Sequence, residues 1–595
     1  MSTKTNREGT SMTRLMAITA AAAALCMCAA AQAAAPGITS TGGAANTFNL
    51  VATDGYINQP DGNQVYVWGY GCTNAIGTLT ATSTATFKPT MPNQACSTMQ
   101  IPAPTLVVTE GQPVTVTLTN SLPASAGNTS ILFPGFTVTA SGGVAGLLAQ
   151  EAAPGNPVTY TFTPTTPGTR AYYSGTQSDL QVEMGLYGAI IVLPATIPSA
   201  CTGPLPSQNL AAQSAWHETD FRLAAAAYDH PKSCYDREYL FQFSEMDLNI
   251  HRTAEAQVAA LAAGGCAVST NAAGGACHLE VPTEPYHPGY FLINGRSMPD
   301  DMDPNYDSPY PHQPYNGNPH MHPGEQVLLR VIGQGRWEHP FHEHANHVRI
   351  LARDGNLILT PDGKALAGNL FFTTDTFPGQ AFDGIFYFSG RGLNWDMFGH
   401  NPTSNDPLAK LSCTPDAYGY NTGFPSTDTT YSTTPTAAVA SAVNYYEWCQ
   451  DHNKPLEANP FGDVPSGGPA TLPNPNIFTN GAWYGGSPYF GPDATLRSDT
   501  ALRNDGNGTA GALSGCTTGA TVVSPGTTPA TSNPTPNCTN LQPSNTQANP
   551  ANERGWAFMW HSHNEREITT NNVFPGGMLM MMLVDSREFV IDESQ

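Results

Sequence analysis

Positive charge is scarce in this sequence. Lys and Arg number 23 among 595 residues against 46 Asp and Glu, which leaves a formal net charge of −23. Charged residues make up 12% of the chain, about half of their usual share. A surface of this sign repels phosphate backbones and anionic membranes, which argues against nucleic acid as a partner. It attracts cations, metal ions included, although an acidic surface that only keeps an exported protein soluble is the more ordinary interpretation.

Long apolar runs are missing beyond the N-terminus. No later stretch reaches the roughly 18 apolar residues that a spanning helix needs, so we predict no membrane span. The N-terminus has basic residues, an apolar run and an Ala-x-Ala site, in the order Lys4, Arg7, Arg14, the run from Leu15, and Ala31-Gln32-Ala33. This order is typical of a secretory signal. We therefore predict a signal peptide over residues 1–33 and a secreted or periplasmic mature protein.

Cysteine is absent from metal-binding patterns, because no CxxC pair occurs and no cysteine lies beside the histidine clusters. Cys26 and Cys28 fall within the signal, which leaves ten of the 12 cysteines, an even number in an oxidising compartment. Structural disulfides are therefore favoured, although sequence does not fix their connectivity. Nearest-neighbour pairing along the chain predicts Cys72–Cys96, Cys201–Cys234, Cys266–Cys277, Cys413–Cys449 and Cys516–Cys538.

At about 150 residues per domain, the length of the chain predicts two to four domains. Residues 46–195 consist of short segments broken by Gly, Pro and Asn. Val114, Val116 and Leu118 alternate with threonines, which is the period of a strand with one buried face. The run from Gly185 is apolar on both faces, as in a central strand. This pattern predicts a β-sandwich or barrel domain over 46–195.

A second β domain is predicted after a linker at 196–235. Its strands lie in 236–392 and resume in 553–592, and TAEAQVAALAAGG predicts one short helix from Thr253 that two glycines end. Between these two parts, Gly, Pro, Thr, Asn and Ser dominate the sequence. Because a structureless loop this long is unusual, we predict that 393–552 is a disulfide-stapled, loop-rich insertion.

Histidines gather in two short segments of the second β domain. EHPFHEHANH includes His342 and His344, and WHSH includes His561 and His563. Residues two apart on a strand project to the same face, so each pair presents two imidazoles together. Two such strands side by side would bring four imidazoles to one or two metal ions, a ligand set suited to copper or zinc.

Three further histidines are weaker candidates. His347 is expected to point away from this site or to hydrogen-bond one of its ligands. His320 and His322 form a third H-x-H pair, but they lie in a Pro/Gly-rich loop and predict at most a surface metal site.

Segments from both β domains carry another signal. In chain order they are EGQPVTVTLTNSLP, NTSILFPGF, GTRAYYSGTQSDLQVEMGLYGAIIV, FLINGR, GEQVLLRVIG, EHPFHEHANHVRILARDG, DTFPGQAF and the HSH segment with its closing GGM. In this order they resemble the multicopper oxidases, laccase-like proteins built from cupredoxin domains. The resemblance covers both β domains but not 393–552. It implies an all-β fold of two cupredoxin-like Greek-key β-sandwich domains, the second carrying the long loop-rich insertion.

The resemblance also implies which copper ligands are lost in the first domain. The family supplies two H-x-H pairs there. The matching positions hold Leu132 and Pro134 for one pair, and Tyr173 and Gly175 for the other. None of these four side chains is a family copper ligand.

The second domain keeps the matching histidines but loses a cysteine. His339, His342 and His344 match the family's HPxHxH segment, and His561 and His563 match its HCH segment. The central cysteine, which binds the blue (type 1) copper in the family, is Ser562 here.

A serine hydroxyl cannot supply the soft thiolate bond of a blue copper. The family's second blue-copper histidine, five residues after the cysteine, falls on Glu567. We therefore predict that the blue copper is missing. His339, Ser562, Glu567 and Met578 are expected to line the vacated pocket, with His339 a further candidate metal ligand in a harder O/N site.

These observations predict an exported, copper-binding protein that is an atypical copper-dependent oxidoreductase without a type 1 copper. A small-molecule or metal-ion donor would deliver electrons directly to the centre, and dioxygen is the candidate acceptor. Glu565 and Glu567 are candidate catalytic proton carriers, although both could equally be surface carboxylates. The sequence leaves open whether the protein forms a homo-oligomer or binds a partner subunit. The alternatives are a non-catalytic copper-binding or sequestration protein and a structural or assembly subunit on a degenerate oxidase scaffold.

Overall fold

The computed structural model describes residues 35–40, 46–73, 87–89, 96–202, 221–267, 277–321, 325–387, 486–489, 555–585 and 591. The predicted signal peptide lies outside these residues, as do His322 and, apart from 486–489, the predicted insertion. The predicted pairs Cys413–Cys449 and Cys516–Cys538 also fall outside them.

The first half of the chain forms two packed five-stranded sheets. Its strands are β1 (Ile38–Ser40), β2 (Asn46–Asn58), β3 (Gln64–Cys72), β4 (Phe87–Pro89), β5 (Leu106–Thr109), β6 (Val114–Asn120), β7 (Thr139–Gly142), β8 (Val144–Ala145), β9 (Gln150–Glu151), β10 (Pro157–Phe162), β11 (Gly168–Tyr173) and β12 (Tyr187–Leu193). The sheet orders are β11-β12-β5-β1-β4 and β3-β2-β6-β10-β7, and β8 pairs with β9 alone.

The sequence pattern explains how this sandwich closes. Val114, Val116 and Leu118 of β6 are buried while the threonines between them are half-buried, as the alternation predicts. Strands β2 and β6 run parallel, as do β5 and β12, so the chain crosses between the sheets rather than meandering. Trp68 and Tyr172 are fully buried in the shared core.

The second half forms a larger sandwich. Its strands are β13 (Arg237–Met246), β14 (Tyr290–Ile293), β15 (His320–Met321), β16 (Gln326–Gly333), β17 (His339–Glu343), β18 (Val348–Arg353), β19 (Asn356–Leu357), β20 (Leu370–Phe371), β21 (Thr373–Thr376), β22 (Ala381–Tyr387), β23 (Gly486–Tyr489), β24 (Gly555–Ser562) and β25 (Leu579–Asp585). One sheet has the order β14-β13-β16-β22-β18-β19, with β20 beside β18; the other is β15-β25-β24-β17-β21, with β23 beside β24. The described part of the chain is therefore predominantly β, as predicted, and forms two β-sandwiches.

Helices are few in the described residues. They are α1 (Ser178–Gln181), α2 (Leu248–Ala263) and the 3-10 turns Ala124–Ala126, Ser199–Cys201 and Asp300–Met302. Helix α2 begins five residues before the predicted start at Thr253, because the Asp247 side chain accepts a hydrogen bond from the Asn249 N–H and caps it. It ends at Ala263, as the following glycines predict. Of the helices in the described residues, none has both the length and the apolar character required to traverse a membrane.

A buried ionic network joins the two sandwiches. Arg330 of β16 donates to Glu238 of β13 at 2.9 Å. Its guanidinium also donates to the Thr169 hydroxyl of β11 at 3.1 Å, and that hydroxyl donates to Asp383 of β22 at 2.6 Å. All four groups are buried, so each charge has partners where water cannot reach it.

Three predicted disulfides are confirmed. Cys72–Cys96, Cys201–Cys234 and Cys266–Cys277 are bonded. The second links the segment that follows β12 to the segment that precedes β13.

Candidate metal centre

Strands β17 and β24 place the histidines. They pair antiparallel with His342 opposite His561 and Phe341 opposite Ser562. Phe341 and Ser562 point into the core and are fully buried, so the strand period turns His342 outward. The two H-x-H segments therefore present their imidazoles on one face of one sheet.

Four imidazoles meet on this face, and we call His342, His344, His561 and His563 the imidazole cluster. The ring of His342 lies 4.9 Å from that of His344, 5.3 Å from that of His561 and 4.8 Å from that of His563, centre to centre. One ring nitrogen from each of His342, His344 and His561 fits within 4.8 Å of the others. The Nε2 atoms of His344 and His561 are 3.3 Å apart.

Two rings of the imidazole cluster, those of His342 and His561, favour the neutral form. Burial, together with the neighbouring imidazoles, lowers the pKa of His342 to about 4. The pKa of His561 is also lowered, mainly by burial. Nδ1 of His561 donates to the carbonyl of Ser562 at 2.6 Å, which leaves the lone pair on Nε2, the atom that faces His344. Neutral imidazoles with converging nitrogens are the donor set that copper accepts, so the residues present fit this metal.

His339 lies apart from the cluster, on the buried side of β17. Its Nδ1 is 2.9 Å from Glu567 and its Nε2 is 2.9 Å from Glu245. Burial alone would lower the pKa of His339, but hydrogen bonds and charge from the two carboxylates outweigh it and raise the pKa to about 9. His339 is therefore a protonated ring held between two carboxylates. Both nitrogens are engaged, so we do not include His339 in the metal centre proposed below.

The positions expected at the vacated blue-copper pocket do come together. The Ser562 hydroxyl donates to Glu567 at 2.5 Å, and the Met578 N–H donates to the Glu567 carbonyl at 2.8 Å. We call Glu245, His339 and Glu567 the buried bridge. Sequence reasoning missed Glu245, although a carboxylate in a predicted strand, just after the aromatic-rich run from Tyr239 to Phe243, is a signal that could have revealed it.

The remaining candidates are spread over the surface of the domain. Glu565 is largely exposed, with a carboxylate oxygen 3.8 Å from Nδ1 of His563. The two predicted proton carriers thus lie in different surroundings, because Glu567 is fully buried. His347 packs its ring 5.1 Å from that of Phe372, and His320 lies in β15, which pairs with β25.

In the first sandwich, the positions that match the family's lost ligands are also neighbours. Leu132 donates its N–H to the Tyr173 carbonyl at 2.7 Å, and the Leu132 side chain lies against Gly175. The side chains at these positions offer no imidazole.

Solved structures of several copper proteins share a low sequence identity with this chain. Among solved structures, a blue copper oxidase from Nitrosomonas europaea is 18% identical with a TM-score of 0.33, and the match covers 57% of this chain and 74% of that one. A copper nitrite reductase from the same organism is 17% identical with a TM-score of 0.32, covering 58% and 84%. Fet3p, described as a multicopper oxidase that functions in iron import, is 19% identical with a TM-score of 0.33, covering 57% and 45%. The chain matches no curated protein.

The family model for multicopper oxidases matches residues 81–196, which lie in the first sandwich. That sandwich is the one without histidines at the matching positions, so the match does not depend on copper ligands. Residues 81–196 are therefore similar to a multicopper oxidase domain, and the match extends over only this part of the chain.

Proposed function

We propose that this protein binds copper through the imidazole cluster and acts as an exported, atypical copper-dependent oxidoreductase without a blue copper. The observation that carries the proposal is the convergence of ring nitrogens from His342, His344 and His561 on two adjacent strands, with the pKa values of His342 and His561 lowered. Copper bound there would supply one-electron redox chemistry. Since Ser562 provides no thiolate, a small-molecule or metal-ion donor would reach the centre directly, with dioxygen as the candidate acceptor.

The chain's own residues orient the rings. Nδ1 of His342 hydrogen-bonds the Thr373 hydroxyl at 2.7 Å, and Nδ1 of His561 donates to a backbone carbonyl. Such partners fix the tautomer and aim the other nitrogen at the metal. Glu565 is exposed beside His563 and is the candidate that exchanges protons with solvent. Glu567 contacts His339 in the buried bridge instead.

The experiment that tests this function is elemental analysis joined to paramagnetic resonance of the copper-loaded protein. We expect stoichiometric Cu(II) with nitrogen ligands and no intense blue thiolate band. The double variant His342→Ala, His561→Ala should lose the copper signal. Copper bound equally by that variant, or an intense blue colour in the wild type, would contradict the proposal.

A second candidate is copper sequestration without turnover. It is favoured by the lack of imidazoles at Leu132, Pro134, Tyr173 and Gly175, which leaves a four-histidine set with no partner site in the first sandwich. Oxygen uptake separates the two functions. Stoichiometric copper with no oxygen consumption on phenolic, Mn(II), Fe(II) or Cu(I) donors would favour sequestration.

Thr373 provides a milder test of the ligand geometry. Thr373→Val removes the hydroxyl that holds His342 while keeping the shape of the side chain. We expect Cu(II) affinity to fall by about tenfold, the lower end of the effect of losing a ligand's hydrogen-bond partner. A competition titration against a chelator measures this change. Thr360→Val, in an exposed turn, is the control and should leave affinity unchanged.

A further inference from the structure

The buried bridge joins three separate segments of the second sandwich. Glu245 lies near the end of β13, His339 begins β17, and Glu567 lies in the turn that follows β24. Side chains from these segments meet in a fully buried place, where each ring nitrogen of His339 contacts one carboxylate. A neutral imidazole can donate only one hydrogen bond, so with both carboxylates ionised the two contacts together require the protonated ring.

Both carboxylates are themselves held firmly. Glu245 accepts hydrogen bonds from the backbone N–H groups of Arg336 and Trp337, at 2.7 and 2.9 Å, and from the Tyr286 hydroxyl at 3.2 Å. The Tyr286 hydroxyl also contacts Glu183 at 2.7 Å, and the Arg336 guanidinium lies 4.2 Å above its ring. The carboxylate of Glu245 is thus held in place by contacts other than the one with His339.

Glu567 is held from the other side. It accepts from the Ser562 hydroxyl at 2.5 Å and from the Asn564 amide at 2.9 Å, and its own N–H donates to the Asn564 carbonyl at 2.8 Å. These contacts tie the turn after β24 to the inward face of that strand.

The buried bridge lies on the opposite face of the strands that carry the imidazole cluster. His339 precedes His342 by three residues on β17, and Ser562 separates His561 from His563 on β24. A shift of β17 or β24 relative to β13 would therefore move the imidazoles on the outward face. The buried bridge resists such a shift, because it connects β13, β17 and the turn after β24.

We propose that Glu245, His339 and Glu567 are positioning residues that form a metal-independent cross-link and hold the imidazole cluster in place for copper. The inference rests on the proposed function for the role of the cluster. Two members of the buried bridge, His339 and Glu567, occupy positions expected at the vacated blue-copper pocket, and they join β17 to the turn after β24 by charge and hydrogen bonds. It persists whether or not copper is bound to the cluster.

The test compares Glu567→Gln, which removes the charge, with Glu567→Asp, which keeps it. Glu280→Gln is the matched control, because Glu280 forms a similar pair with His278, 3.2 Å apart, on the exposed surface. In metal-free protein at neutral pH, nuclear magnetic resonance should show both ring N–H protons of His339 in the wild type. In Glu567→Gln, the ring signals of His561 and His563 should be shifted from their wild-type positions. In Glu567→Asp, these signals should lie closer to the wild-type positions.

In copper-loaded protein, Glu567→Gln should lower Cu(II) affinity by about tenfold and change the paramagnetic resonance spectrum, while Glu280→Gln matches the wild type. Glu567→Gln with unchanged His561 and His563 signals would overturn the cross-link. The cross-link would also be overturned if Glu567→Gln had the same Cu(II) affinity and the same paramagnetic resonance spectrum as the wild type. Wild-type protein that binds no copper would overturn the proposed function instead, and the metal-free spectra would still decide on the buried bridge.

Discussion

The double variant Ser562→Cys, Glu567→His should turn intensely blue when loaded with copper, whereas the wild-type protein should not. His339 directs Nδ1 towards Glu567, whose carboxylate also receives the Ser562 hydroxyl. Cysteine and histidine at these two positions would therefore bring a thiolate and a second imidazole beside Nδ1 of His339. Two imidazoles and one thiolate form the trigonal set of a blue copper, and Met578 is buried nearby as a candidate weak axial ligand.

Glu245 supports this expectation, because it accepts from Nε2 of His339 and leaves Nδ1 for a metal. Visible absorption and paramagnetic resonance of copper-loaded variants measure the result. Ser562→Cys alone, with Glu567 retained, should give a much weaker thiolate band. Ser562→Ala, Glu567→His is the control that lacks sulfur and should stay without the band. A double variant that binds copper but remains colourless would show that these side chains do not converge as their contacts indicate.

The imidazole cluster follows from sequence because strand geometry is local. Residues two apart share a face whatever the rest of the fold does, so each H-x-H pair could be assigned from its own segment. That the two segments would be neighbours required the family resemblance, since β24 lies more than 200 residues after β17. The structure then pairs His342 with His561 directly.

The contacts that hold the histidines could not be read in the same way. Glu245 and Thr373 belong to strands whose partners are decided by sheet order, and neither residue is part of a motif. His339 illustrates the difficulty. Its segment resembles a ligand motif, but its two partners come from β13 and from the turn after β24, and those partners convert a candidate ligand into a buried cation.

Helix α2 shows the same limit at smaller scale. Its end was predicted from two glycines, whereas its start depends on Asp247, which caps the helix through its side chain. Asp247 stands within a segment whose apolar alternation predicts a strand. Because Asp247 alone separates the strand from the helix, no loop segment marks the boundary in the sequence.

His339 should also make the stability of the metal-free protein depend on pH. Its pKa is raised from 6.5 to about 9 in the folded protein, so the folded state binds the proton more tightly than the unfolded chain. The resulting stabilisation is fully present below about pH 6.5, declines as the pH rises, and is lost above about pH 9. At about 1.4 kcal/mol per pKa unit, the loss across this window amounts to about 3 kcal/mol in the free energy of unfolding.

Denaturant unfolding at a series of pH values measures this slope, with His339→Gln as the comparison. The variant should be destabilised by about 3–5 kcal/mol near neutral pH, because two buried carboxylates lose their positive partner. Its stability should then vary less with pH, so that the two curves converge on the alkaline side. His278→Gln, which removes an exposed histidine from a similar carboxylate pair, should reproduce the wild-type slope. Parallel curves for the wild type and His339→Gln would mean that His339 is not the charged centre of the buried bridge, and that Glu245 and Glu567 are held by other contacts.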